Sequence, residues 1–122
     1  MKLFAFLFAI AFYVGCDLYD VILTEKGIKA GVAVEGNTFL VGQKPSAVAL
    51  YLRDALLAGL ATTPCAIALA VGNTPLFWGF LAAPVVVGVK HILGGKQWRF
   101  LLNGGKVDPT KPLSAWDKFI QG

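Results

Sequence analysis

From Ala55 to Gly72 the chain carries no charged residue. Such a run has few places to go. A helix of about 20 residues, rising about 1.5 Å per residue, crosses a hydrocarbon layer about 30 Å thick. The remaining composition agrees with that solvent. Apolar residues make up 57% of the 122 residues and charged residues 15%, against about 45–50% and about 25% in soluble domains. A soluble domain this small must cover a large surface with polar groups, and this chain has too few. The same apolar excess excludes disorder. A collagen-like chain is excluded because the 14 glycines show no period, and a disulfide scaffold because there are 2 cysteines. The expected class is an all-α integral membrane protein. It should form one membrane domain over 1–122, with three transmembrane helices at about 3–24, 46–72 and 75–93 and a tail over 94–122.

The first segment is uninterrupted from Leu3 to Gly15. It reaches spanning length by extending to Leu23, which admits Asp17 and Asp20. Both carboxylates then fall in its last third, and Glu25, Lys26 and Gly27 close it. Met1-Lys2, the apolar stretch and Tyr13-Val14-Gly15-Cys16 also resemble a bacterial lipoprotein signal, cleaved before a lipidated Cys16. Tyr13 departs from that pattern, which usually has a small aliphatic residue there.

In the second segment Ser46 is the expected N-cap, and Pro64 follows Thr62-Thr63. Proline is tolerated in a membrane helix where Ser/Thr side chains or neighbours satisfy the freed carbonyl. Gly72-Asn73-Thr74-Pro75 ends one helix and starts the next, with Thr74 as cap, so the second and third helices should form a tight hairpin. Gly59 with Thr63 and Gly79 with Ala83 place small residues four apart, a spacing that lets helices approach in lipid.

Basic residues set the orientation. The first loop carries Lys26, Lys29 and Lys44, and the tail carries Lys96, Arg99, Lys106, Lys111 and Lys118. Three spans with those charges inside put the N-terminus outside and the C-terminus in the cytoplasm of a cell membrane. Lys90 marks the end of the third helix, and Trp98 and Arg99 suit an interface. Leu113, Trp116, Phe119 and Ile120 form the apolar face of a short amphipathic C-terminal helix. The expected partners are the bilayer, anionic lipid headgroups, and a homo-oligomer or larger membrane complex. No nucleic acid is expected.

Polar residues gather at the end of the first helix and in the first loop. Tyr13, Asp17, Asp20 and Thr24 follow at steps of three and four and share one helix face. The loop adds Glu35 and Asn37, and the second helix adds Arg53 and Asp54. Arg53 is expected to neutralise Asp17 or Asp20, because buried charges pair. The rival readings are an oxygen-ligand site for a cation or polar molecule, or a proton relay. No Ser/His/Asp set, HExxH or phosphate-cradling glycine loop appears, so neither a cofactor nor a metal centre is expected. His91 reads as interfacial. Val32-Ala33-Val34 and Thr38 to Val41 flank Glu35-Gly36-Asn37 as a β-hairpin, an interfacial helix or a re-entrant element.

Asp20-Val21-Ile22-Leu23-Thr24, Gly31 and Glu35-Gly36-Asn37 resemble a pattern in small bacterial multi-pass membrane proteins of uncharacterised function. In those, a Glu-x-Asn-Pro element leads into the second span; here Thr38 replaces the proline. The resemblance implies a helical bundle with a polar cluster near one interface and no known reaction. In span number, length and basic tail the chain is also similar to three-span phage holins. Three functions follow as expectations. The first is a non-enzymatic accessory or scaffold component packing against other helices. The second is a holin-like pore former. The third is a transporter or enzyme built on Asp17, Asp20 and Arg53.

Overall fold

The computed structural model describes residues 1–34, 39–42 and 44–106. The described residues form three helices: α1 (Lys2–Lys29), α2 (Ala47–Ala70) and α3 (Thr74–Leu102). Each is long and apolar enough to cross a membrane. The described loop residues 30–34, 39–42 and 44–46 include turns and bends and no strand. The amphipathic C-terminal helix, with Trp116 and Phe119, falls outside the described residues, as do Glu35 and Asn37.

All three helices stop in the same way. Gly31, Gly72 and Gly104 adopt φ of 70°, 73° and 85°, a left-handed conformation that suits glycine. At each end two backbone N–H groups turn back onto the last turn: Gly31 to Ile28 and Val32 to Gly27, Gly72 to Leu69 and Asn73 to Ala68, Gly104 to Leu101 and Gly105 to Phe100. These paired bonds satisfy carbonyls that a helix end otherwise leaves orphaned.

Ser46 caps α2 as expected, its hydroxyl accepting from Ala49 N–H at 3.2 Å. At α3 the cap is Asn73, not Thr74: Asn73 Oδ1 accepts from Leu76 N–H at 3.1 Å. Asn73 has extended backbone, whereas Thr74 is already helical. Its hydroxyl accepts from Lys2 Nζ instead. Helix α2 continues through Pro64. The threonines before it donate to Ala58 and Gly59 carbonyls, at 2.8 and 2.6 Å. They thus satisfy their own hydroxyls and do not answer the Leu60 carbonyl, which Pro64 leaves without its usual donor.

Helix α3 runs beyond the span expected to end at Leu93. It carries Gly94-Gly95 in its interior, and Lys96, Trp98 and Arg99 on the same rod. The reason lies in how α3 meets α1. Lys2 touches Thr74, Gly88 faces Phe12 and Tyr13, Gly95 faces Tyr19, and Gly27 faces Trp98. The offset between partners stays nearly constant along both helices. So α1 and α3 are parallel, α2 runs antiparallel to them, and α3 packs most extensively on α1.

The buried residues of α3 are Phe77, Pro84, Gly88, Gly95 and Trp98, at steps of seven, four, seven and three, which keep one stripe turned to its neighbours. Those of α1 are Ala9, Tyr13, Cys16, Val21, Thr24 and Gly27. Four glycines permit the approach. A Cβ on Gly27 would stand 2.2 Å from the Trp98 ring, on Gly88 2.7 Å from Phe12, and on Gly95 2.4 Å from Tyr19. Gly94 is the fourth, described below. Trp98, expected at an interface, is therefore buried against α1, while Arg99 is exposed and Lys90 is half-buried.

Among the described residues, those expected to pack helices do not do so: Gly59 and Gly79 have no other described part of the fold within 4 Å of a Cβ, and Thr63 and Ala83 are exposed. At the end of the bundle holding Lys2 and Asn73, Cys65, Ala68 and Phe77 form an apolar core, with Phe6, Leu69 and Leu81 against it. Large apolar side chains such as Phe4, Phe8, Leu52, Leu60 and Val86 point outward.

Candidate functional site

Toward the other end, where α1 stops and α2 starts, the interior becomes polar. The α1 face supplies Tyr13, Asp17, Asp20 and Thr24 as its spacing implies. Because α1 continues to Lys29, Asp17 lies just past its middle rather than in its last third. At about 1.5 Å per residue Asp20 sits about 14 Å from the Lys29 end and about 27 Å from Lys2. The early turns of α2 supply Arg53 and Asp54, both buried.

The group that joins the helices is His91 of α3, which the sequence reading placed at an interface. Its Nδ1 lies 2.7 Å from Asp20 Oδ2. Its Nε2 lies 3.4 Å from Asp17 Oδ1, close enough for an ion pair but without a formed hydrogen bond to that oxygen. One imidazole thus stands between two carboxylates on successive turns of α1. Thr24 Oγ1 donates to the other oxygen of Asp20 at 3.4 Å. Gly94, one turn beyond His91, makes room: a Cβ there would stand 3.0 Å from both Asp20 oxygens. Tyr13 packs its ring edge-on to His91, with centroids 5.7 Å apart.

Arg53, expected to neutralise Asp17 or Asp20, meets its neighbour Asp54. Arg53 Nε donates to Asp54 Oδ1 at 2.8 Å, and His91 meets the two α1 carboxylates directly. Two buried polar atoms have no hydrogen-bond partner among the described residues: Tyr13 Oη and Asp17 Oδ1. Unsatisfied buried groups are rare in folded proteins and mark places where water, an ion or a proton completes the arrangement.

Chemically the cluster offers acceptors in excess, one imidazole with both nitrogens engaged, and a phenol. Among the described residues no three His, Cys, Asp or Glu groups converge as metal ligands. Its imidazole and carboxylates are groups that bind protons. His91, Gly94 and Gly95 are the functional residues that sequence reasoning missed. Their signal was the three- and four-residue spacing from Gly88 to Trp98, masked because Lys90 reads as the end of the helix.

No protein-family model matches the chain, and no curated protein or solved structure matches it.

Proposed function

We propose that the chain is a small non-enzymatic component of a cell membrane, crossing it three times and packing against helices of other chains or copies of itself. The observation that carries this reading is the open pair of small-residue faces. Among the described residues, a Cβ on Gly59 or Gly79 would meet nothing within 4 Å, and Thr63 and Ala83 are exposed. In lipid, where helices gain little from hiding apolar area, close approach at small residues is a main source of association. Lys26, Lys29, Lys44, Lys96, Arg99 and Lys106 belong to the end where α1 stops and α2 starts, against Lys2 at the opposite end. That asymmetry supports a cytoplasmic first loop and C-terminus facing anionic headgroups, with the N-terminus outside.

The test is energy transfer between labelled copies, and cross-linking to neighbours, in native membranes. Association is expected, and Gly59→Leu and Gly79→Leu should abolish it while helix content and thermal midpoint stay unchanged. Association untouched by both substitutions would contradict the reading.

A second reading has its own support. His91 standing between Asp17 and Asp20 is an arrangement that membrane proteins use for coupling to protons. On this reading the chain is a transporter using the polar cluster, and a proton gradient should drive solute movement in liposomes containing it.

A further inference from the structure

We propose that Asp17, His91 and Asp20 form a binding site for one exchangeable proton, reached from the end of the bundle where α1 stops and α2 begins. The inference deepens the second reading above and rests on its polar cluster.

The geometry carries it. In a neutral imidazole one nitrogen bears hydrogen and the other is bare. Here each nitrogen faces a carboxylate oxygen, so with both carboxylates ionised the neutral ring leaves one such contact without a proton. A proton arriving at the bare nitrogen forms the second N–H bond. The ring then donates from Nδ1 to Asp20 and from Nε2 to Asp17, and loss of that proton restores the neutral ring. With both carboxylates ionised, the two α1 contacts are satisfied at once only when the ring is protonated. Asp17 Oδ1, the oxygen facing Nε2, is the buried atom without a partner. Tyr13 Oη, in a side chain 1% exposed, is the other, which gives the site an independent polar group short of a partner.

The groups around His91 come from all three helices. Tyr13, Asp17 and Asp20 approach from α1, Asp54 with Arg53 from α2, and Lys90 precedes it on α3. His91 and Asp20 keep 16% and 20% of their side chains exposed and lie nearer the Lys29 end, whereas below Tyr13 lie Ala9 and the apolar group of Cys65, Ala68 and Phe77.

His91 is the single histidine in the sequence, so 15N-histidine labelling reads this site alone. The experiment is solid-state NMR of the full chain in phosphatidylcholine–phosphatidylglycerol liposomes across a pH series. The expected result is one titration step with both ring nitrogens protonated on its acid side. Asp20→Asn should weaken proton binding at His91 at least about tenfold, and Asp17→Asn should alter the Nε2 signal while the Nδ1 contact persists. A ring that keeps one bare nitrogen at every pH overturns the proposal with no variant needed. So does a titration that neither substitution changes. Coupled titration without proton-driven solute movement keeps this site and overturns the transport reading alone.

Discussion

At the scale of single residues, the account depends on a glycine and an imidazole. Gly94 holds open the space that the Asp20 carboxylate occupies. Overpacking a close contact costs about 1–3 kcal/mol, so Gly94→Ala should lower stability by about that amount. It should also lengthen the His91–Asp20 contact, seen as a shifted Nδ1 resonance. The coupling between His91 and Asp20 is separately measurable. In a double-mutant cycle of His91→Leu and Asp20→Leu, unfolding in detergent should be less than additive, with a coupling of about 1–3 kcal/mol. Additivity would mean that the 2.7 Å contact does no energetic work. The α1 half of this site was legible in the sequence, because carboxylates at helical spacing in an apolar segment stand out. The α3 half was not. A lone histidine beside Lys90 has the look of a helix end, and only its position opposite Asp20 gives it another meaning.

At the scale of helices, the parallel pair α1 and α3 is the main packing unit. In water a Gly-Gly pair reads as a break, since glycine costs about 1 kcal/mol in a helix interior. Between close-packed helices the same pair is a contact surface. The third helix, expected to end near Leu93 because Lys90 and His91 mark a span's end, therefore continues through the pair to Leu102. Its true stop, Asn103-Gly104, uses a left-handed glycine; Gly94-Gly95 does not. The stop at Gly72 was readable because Asn73-Thr74-Pro75 follows it. The seam predicts a contrast between glycines. Gly27→Val should lower the thermal midpoint, because Trp98 must move, whereas Gly15→Val, with nothing within 4 Å, should leave it unchanged. Equal effects would contradict the seam.

For the whole molecule, the arrangement is polar inside toward one end, apolar inside toward the other, and apolar outside. That inverts the order water selects and fits a hydrocarbon solvent. Expression of the chain alone should therefore cause no dye leakage from cells or liposomes, since the apolar group around Phe77 closes one half of the interior. Rapid leakage would favour a pore former. The most direct test of the account is whether the three helices cross a membrane in this order. Cysteines are placed singly at Lys44, Asn73 and Asn103 in a chain with Cys16→Ala and Cys65→Ala, and labelled in intact cells with an impermeant reagent. The account predicts that Asn73→Cys is labelled from outside while Lys44→Cys and Asn103→Cys are protected until the membrane is opened. Labelling of all three from the same side would contradict it.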